Sequence, residues 1–459
     1  MTHFFPRIKA ACFKHPLVTG SFLLTLAGLL SRLIGFFYRI YLSQTFGEES
    51  MGIYQLIGPI VALSFSLTAA GFQTSISKFV AECTERHKVT KDKVTEAKPF
   101  FLGLSISLPL SVLLMFFLQR NAVNIATHLL QEPRTASLLR ILALSLPLSA
   151  LHACVNGYFY GRKNAGVPAI CQLIEQICRV LSVYLICTIQ LRQGNTPSLN
   201  VTVIGILIGE IVSTIICTFV LLHHLRNTST GYSVTFYDQN PSVKIVTYGM
   251  LLSMALPLIA NRITINLLQS VETISIPAKL RLFGYDPATA LSVYGVLTGM
   301  AFPLLFFPNA ITSAFAVLLL PMISERISLG DKKGIRKLTI QTIQSCSLLG
   351  FFCMLLFLVL GNQLGMLLFH SELAGIFIKT LSFICPFLYL NNTLSAILQG
   401  MGKVLTLFFI NVSALVLRLL FIFTFIPTHG IKGYLWGLLV SQIFQSTCYL
   451  FFINRTQKL

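Results

Sequence analysis

The side chains in this sequence that could do chemistry are the charged residues inside its long apolar runs. Eight Lys and Arg fall within such runs, against three carboxylates. The basic residues are Arg32, Arg39, Lys78, Arg140, Arg179, Arg262, Lys379 and Arg418, and the acids are Glu175, Glu210 and Glu272. A charge near a bilayer centre costs at least about 2.5–3.5 kcal/mol, so such residues face polar cavities and mark a pathway. The excess of basic residues predicts a cavity that binds an anion.

Two arginines follow one another along the first apolar run. Arg32, Gly35 and Arg39 are spaced i, i+3 and i+7, which places them on one face of a helix. A guanidinium group matches phosphate oxygens in a bidentate geometry, so both arginines are predicted to bind substrate. The alternative for Arg39, which lies nearer the outer end, is a side chain that extends to the membrane surface.

A second polar stripe lies on the seventh apolar run. Arg262, Asn266, Gln269 and Thr273 are spaced i, i+4, i+7 and i+11. The first three are predicted to line the substrate cavity. Polar stripes also hold membrane helices together, and this structural alternative stays open.

The acids are candidates for coupling transport to an ion gradient. Glu175 and Arg179 are spaced i, i+4 on the fifth run, so they can neutralise one another. Glu210 on the sixth run has no basic neighbour in its own turn. Since unpaired membrane acids serve in proton relays, Glu210 is the preferred coupling residue and Glu175 the second candidate.

The elements that position these residues are predicted to be membrane-spanning helices. The chain has 459 residues, of which 54% are hydrophobic and 11% charged, whereas soluble domains are about 25% charged. The sequence predicts an all-α polytopic protein with about twelve spans at 18–43, 53–81, 98–118, 136–159, 167–190, 200–225, 245–270, 288–319, 338–361, 374–397, 404–426 and 431–453. The first run is too long for a signal peptide, so it is predicted to be a retained helix.

The loops carry most of the remaining charge. With the N-terminus inside, the inner connections hold 20 Lys and Arg and the outer connections hold 6. The positive-inside rule therefore predicts cytoplasmic termini in a multi-pass protein of a bacterial cytoplasmic membrane. The net charge of +19 is explained by these orientation signals, and no nucleic-acid partner is predicted.

An internal repeat divides the chain into two halves. In both 140–161 and 379–400, a basic residue is followed by a proline after seven positions and by a glycine fourteen positions later. We predict an N-terminal lobe at 1–226, a cytoplasmic linker at 227–244 and a C-terminal lobe at 245–459. An even number of spans per lobe predicts a pseudo-two-fold axis along the membrane normal, as in rocker-type transporters.

Several functional classes are disfavoured. The connections are about 20 residues at most, and no Walker A motif is present, so a nucleotide-driven pump is not expected. An enzyme such as a glycosyltransferase would need a sizeable outer loop with catalytic residues, so no enzyme is predicted. The eleven cysteines form no CxxC pair, and neither a metal nor a disulfide is predicted.

Six segments carry a resemblance to a known family. The chain resembles the multidrug/oligosaccharidyl-lipid/polysaccharide (MOP) exporter superfamily, and within it the stage V sporulation protein B branch. The segments are "LAGLLSRLIGFFYRIYLS" (26–43), "MGIYQLIGPI…LTAAGFQTSISKFVAE" (51–82), "GYFYGRKNAGVPAICQLIEQICRV" (157–180), "YGVLTGMAFPL" (294–304), "AFAVLLLPMISE" (314–325) and "AILQGMGKV" (396–404).

The resemblance implies a two-lobed fold with alternating access and export of undecaprenyl-diphosphate-linked cell-wall or polysaccharide precursors. It also implies that Arg32 lines the cavity, as the arginine of the similar helix does in peptidoglycan-lipid flippases. Two departures stand out. The predicted span 288–319 has no charge where those flippases carry an arginine, a role that Arg262 can fill, and the chain has twelve predicted spans where relatives often have fourteen.

The leading hypothesis is therefore a secondary flippase of an anionic lipid-linked oligosaccharide. Its expected partners are that substrate, membrane lipids and cell-wall synthesis enzymes. It needs no bound cofactor and is driven by an H⁺ or Na⁺ gradient or by the membrane potential. The alternative is a drug or cation antiporter of the same superfamily, which would need buried acids to bind cations.

The predicted orientation can be tested by cysteine labelling in intact cells. We expect an impermeant maleimide to label a cysteine introduced at Ser50, because the 44–52 connection is predicted to be external. A cysteine at Thr90 should be labelled only after lysis, and the parent protein, with its native cysteines, is the control. Labelling of Thr90→Cys but not Ser50→Cys in intact cells would invert the predicted topology.

Overall fold

The computed structural model describes residues 16–90, 97–228 and 246–458, and regular structure within them is helical throughout. The N-terminal helices are α1 (Pro16–Leu56), α2 (Gly58–Phe65), α3 (Gly71–Thr90), α4 (Lys98–Asn124), α5 (Thr135–Ala143), α6 (Leu146–Gly161), α7 (Gly166–Arg192) and α8 (Asn200–Thr228). The others are α9 (Tyr248–Phe283), α10 (Pro287–Gly295), α11 (Phe302–Phe306), α12 (Asn309–Ser328), α13 (Lys332–Phe369), α14 (Glu372–Leu381), α15 (Cys385–Gly400), α16 (Val404–Thr424), α17 (Ile426–His429) and α18 (Ile431–Lys458).

The helices have the length and composition of membrane spans. Eleven helical stretches in the described residues are long and apolar enough to cross a bilayer, and the bent pair α5–α6 makes a twelfth. Large apolar side chains point outward: Phe219, Leu348 and Val359 are each at least 70% exposed. Such exposure suits lipid tails and would be costly in water. The prediction of an all-α multi-pass membrane protein with about twelve spans is confirmed.

Proline positions explain where two spans break. Helices α5 and α6 meet at a bend of 46°, and Pro147 lies in the first turn of α6. Helices α14 and α15 are separated by a 3₁₀ turn at Ser382–Ile384, and Pro386 lies in the first turn of α15. A proline has no N–H to donate and is tolerated in the first turn of a helix. The repeated proline spacing in the sequence therefore corresponds to a bend between α5 and α6 and to a short 3₁₀ turn between α14 and α15.

The eighth predicted span is divided more than the sequence indicated. A π-helical turn at Val296–Ala301 separates α10 from α11, and α12 begins after Pro308. The first span also runs on into a second helix with only a local break at Gly47, whose φ of 78° is accessible to glycine at low cost.

The described residues form two compact units. Unit 1 contains the described residues up to Ile34 and those of Ile60–His128 and Pro133–Thr264; unit 2 contains Gly35–Pro59, Leu129–Glu132 and the described residues from Ile265 onward. The predicted linker 227–244 lies outside the described residues, apart from its first two positions.

Unit 1 has a continuous core in which glycines bring helices together. Helix α6 packs against α3, α4 and α8, and α7 packs against α8. An added Cβ at Gly157 of α6 would lie 2.6 Å from the backbone oxygen of Gln73 on α3. The buried side chains include Phe72, Tyr158 and Phe159. Small residues at helix crossings let backbones approach closely, which is how membrane helices gain packing energy.

Unit 2 uses the same packing device. An added Cβ at Gly365 of α13 would lie 2.3 Å from the backbone nitrogen of Gly375 on α14. Elsewhere in unit 2, the buried Tyr389 hydroxyl donates to the carbonyl of Leu305 at 2.9 Å. The second core gathers Leu394, Ile397 and Tyr449.

The close crossing at Gly157 predicts a stability defect. We expect Gly157→Ala to lower the stability of the purified protein by about 1–3 kcal/mol, because the methyl group meets backbone that cannot rotate away. Gly28→Ala is the matched control, since an added Cβ there meets nothing within 4 Å. The midpoint of thermal unfolding in detergent measures both variants. Equal midpoints for Gly157→Ala and the unaltered protein would contradict this packing.

Candidate functional site

Two of the three predicted substrate-binding arginines are exposed on their helices. Arg32 on α1 and Arg262 on α9 are exposed, and Arg39 on α1 is half-buried. Among the described residues, none of the three has a hydrogen bond or a carboxylate within ion-pair distance. Their positive charges are therefore not neutralised by the described part of the chain.

The polar stripe on α9 changes in exposure along its length. Gln269 is exposed, as Arg262 is, while Asn266 and Thr273 are half-buried. The next polar residue, Ser270, is buried and donates to the backbone oxygen of Asn266 at 2.6 Å. The stripe is therefore exposed at Arg262 and Gln269 and partly covered at Asn266 and Thr273.

The preferred coupling residue, Glu210, has a partner that the sequence analysis did not identify. His152 of α6 places its Nδ1 atom 3.1 Å from Oε1 of Glu210 on α8. Both residues are buried, with exposed fractions of 7% and 8%. On the other side of the ring, Nε2 lies 3.3 Å from the Ser213 hydroxyl. The histidine is therefore held between two polar groups of one helix.

Glu175, the second coupling candidate, forms the ion pair expected from its spacing. Its carboxylate contacts the guanidinium of Arg179 one turn along α7. Helix α8 can approach this pair because Gly209 carries no side chain: an added Cβ would lie 2.8 Å from the Glu175 carbonyl oxygen. The glycine next to Glu210 thus brings the two acids into one cluster.

The three residues His152, Glu175 and Glu210 have the donor types and proximity of a metal site. One ligand atom from each lies within 4.8 Å of the others. An imidazole with two carboxylates suits several divalent metals. The signal available in the sequence was the histidine at 152 inside an apolar span, 58 residues from its acidic partner.

The third acid predicted within the spans, Glu272, is buried in unit 2 and also has a partner. Oε2 of Glu272 on α9 is 3.1 Å from a guanidinium nitrogen of Arg418 on α16. The Tyr434 hydroxyl of α18 donates to Oε1 of the same carboxylate at 2.9 Å. Three helices are joined by this one acid.

The remaining basic residues of the spans are exposed. Lys78 lies 3.9 Å from Glu82 in an exposed pair, and Arg140 and Lys379 are exposed at equivalent places in α5 and α14. Exposed pairs of this kind contribute little to stability.

The family assignment follows from a match over most of the chain. Residues 17–326 match the model of a family described as "Polysaccharide biosynthesis protein". The chain belongs to this polysaccharide biosynthesis protein family. Residues 257–424 also match the MatE family model, so the second half resembles drug exporters of the same superfamily.

Two relatives of this family member come from Bacillus subtilis (strain 168). "Stage V sporulation protein B" is 26% identical over 389 residues, which cover 85% of this chain and 74% of the relative. "Lipid II flippase MurJ" is 23% identical over 417 residues, which cover 84% of this chain and 73% of the flippase. The predicted membership of the MOP superfamily is confirmed.

Solved structures of the superfamily share the fold of this family member. An inward-facing multidrug resistance MATE family transporter has a TM-score of 0.69 at 15% identity, covering 93% of this chain and 94% of the transporter. A MOP superfamily transporter from Pyrococcus furiosus, described as having a binding pocket of reversed polarity, has a TM-score of 0.66 at 15% identity, with coverages of 96% and 95%. The family match, the flippase relative and the shared fold together indicate a membrane transporter of this superfamily rather than an enzyme.

The buried pair in unit 2 predicts a specific pattern of stability changes. We expect Glu272→Leu or Arg418→Leu alone to cost about 3–5 kcal/mol, because each leaves an unpaired buried charge. The double variant should recover most of that loss, since it removes both charges. Unfolding midpoints in detergent measure the cycle, and Glu82→Gln in the exposed pair, expected to cost under about 1 kcal/mol, is the control. Single variants as stable as the parent would contradict the pairing.

Proposed function

We propose that this transporter is a flippase that moves an anionic, diphosphate-linked lipid saccharide across the cytoplasmic membrane of a bacterium. The observation that carries the proposal is the distribution of charge in the apolar helices. In the described residues, Glu175, Glu210 and Glu272 each have a partner, whereas Arg32, Arg39 and Arg262 have none. The uncompensated charge is positive, and its natural partner is an anionic ligand.

The chemistry of the arginines favours phosphate over other anions. A guanidinium forms two parallel hydrogen bonds with neighbouring phosphate oxygens, and these charge-assisted bonds are about twice as strong as neutral ones. A diphosphate offers enough oxygens for more than one arginine. Arg32, Arg39 and Arg262 are each proposed to bind phosphate oxygens of the substrate, and Asn266 and Gln269 are proposed to donate hydrogen bonds to it.

The driving force follows from the sign of the substrate. With cytoplasmic termini and an inside-negative potential, outward movement of each negative charge gains about 2.3 kcal/mol per 100 mV. Coupling to a cation is assigned to Glu210 and Glu175. The similarity to "Lipid II flippase MurJ" and to the sporulation protein supports a lipid-linked cell-wall precursor as the substrate. Cell-wall synthesis enzymes are the proposed partners.

A drug or cation antiporter is the second candidate. The match of residues 257–424 to the MatE model and the fold of the solved drug transporters favour it. Such a transporter would bind cations at free carboxylates, whereas Glu175, Glu210 and Glu272 here are already partnered.

Substitution of the arginines separates the two candidates. We expect Arg32→Ala or Arg262→Ala to abolish complementation of a flippase-deficient strain, because the diphosphate loses a bidentate contact. Arg32→Lys should rescue only in part, since lysine keeps the positive charge but cannot form the bidentate hydrogen bonds of a guanidinium. Arg140→Ala, which alters an exposed arginine outside the proposed site, is the control, and membrane levels are measured for each variant. Full activity of both alanine variants, together with export of a cationic dye, would reject the flippase.

A further inference from the structure

The strongest unassigned feature is the hydrogen bonding around His152 in unit 1. Two contacts of Ser213 compete for a single hydrogen: its hydroxyl lies 3.3 Å from His152 Nε2 and 3.3 Å from the carbonyl oxygen of Cys171. The other ring nitrogen lies 3.1 Å from the carboxylate of Glu210. The number of protons available decides whether all three contacts can be hydrogen bonds.

A neutral imidazole beside an ionised Glu210 leaves this network one hydrogen short. If the ring carries its proton on Nδ1, it donates to Glu210, and Nε2 must accept from Ser213. Ser213 then has no hydrogen for the Cys171 carbonyl. If the proton is on Nε2 instead, the Nδ1 lone pair faces the carboxylate oxygen, and the two acceptors repel.

One added proton completes the network. With it, the ring donates to both Glu210 and Ser213, and Ser213 donates to the Cys171 carbonyl. The same three bonds form if the added proton lies on Glu210 and is donated to Nδ1. In either placement the His152–Glu210 pair holds one proton more than a neutral ring and a carboxylate.

The surrounding charges agree with this proton count. Glu210, Glu175 and Cys171 are the titratable groups that act on His152 in the described residues, and Glu175 is neutralised by Arg179. With the added proton, the charges of His152, Glu210, Glu175 and Arg179 sum to zero. Without it, the buried cluster carries one uncompensated negative charge, which is costly in an apolar interior.

The geometry points to His152 and Glu210 as a site for a single exchangeable proton. Within the proposed function, this site assigns the coupling cation as H⁺ and the carrier as the His152–Glu210 pair rather than Glu175. Glu175 is paired with a permanent cation, Arg179, one turn along its own helix. Glu272 of unit 2 is likewise paired with a permanent cation, Arg418, on another helix. The His152–Glu210 pair differs because its cationic member can lose its charge. A Na⁺ ion is disfavoured because hard cations prefer oxygen to imidazole nitrogen.

The proton can be tested on purified protein without any substrate. The proton binds the folded cluster, so stability is highest at low pH and is lost as the pH rises and the proton leaves. We expect the unfolding midpoint of the parent protein to fall by several degrees between pH 5 and pH 9. His152→Arg carries a permanent cation, so this variant should not show the part of the fall that comes from the cluster. His128→Gln, which alters an exposed histidine, should show the same fall as the parent protein. An unchanged pH profile in His152→Arg would overturn the inference.

Two further measurements exclude other occupants and test the link to transport. Adding Zn²⁺ or Mn²⁺ should shift the midpoint no further in the parent protein than in His152→Arg; a shift specific to the parent would make the cluster a metal site and overturn the proton assignment. In the complementation assay, His152→Arg should be well folded and inactive, because the arginine cannot release a proton. An active His152→Arg would also overturn the inference, and this outcome is independent of the arginine variants that test the substrate.

Discussion

The structure depends on the cost of holding charge in an apolar interior. An unpaired charge among hydrocarbon is so unfavourable that each of the three carboxylates predicted within the spans has a partner from a neighbouring turn or helix. Arg179 neutralises Glu175, Arg418 and Tyr434 bind Glu272, and His152 faces Glu210. These contacts fix how α6, α7 and α8 pack in unit 1, and how α9, α16 and α18 pack in unit 2. Glycines such as Gly209 allow the approach that the pairs require.

The same constraint gives meaning to charges that have no partner. Arg32, Arg39 and Arg262 lack a counter-ion in the described part of the chain, although arginine costs as much to place in a bilayer as a carboxylate does. A protein keeps such residues where water or a ligand can reach them. We propose that the arginines recognise an anion and that the His152–Glu210 pair carries a proton that can leave. In this proposal, substrate recognition and coupling use different residues.

Local features were predictable from the sequence, and contacts between distant residues were not. The length and apolarity of the runs predicted the helices, and i, i+4 spacing predicted the Glu175–Arg179 pair. The repeated prolines predicted an internal repeat, and the structure has a helix break beside each of them, which the sequence did not predict. The Glu272–Arg418 pair joins residues 146 positions apart by number, and both had been recognised only as charges within spans. The role of His152 required the packing of α6 on α8, which no local pattern contains. The division of the span 288–319 by a π-helical turn likewise depends on tertiary packing.

The central claim is that the transporter recognises a lipid by its diphosphate. Native mass spectrometry of the full chain, released from detergent with equal amounts of undecaprenyl diphosphate and the uncharged undecaprenol, measures this preference directly. The account predicts a retained diphosphate adduct that is lost in an Arg32→Ala, Arg262→Ala double variant, while any undecaprenol adduct is weak and unchanged by the substitutions. Equal retention of the two lipids, or a diphosphate adduct that survives the double substitution, would contradict it.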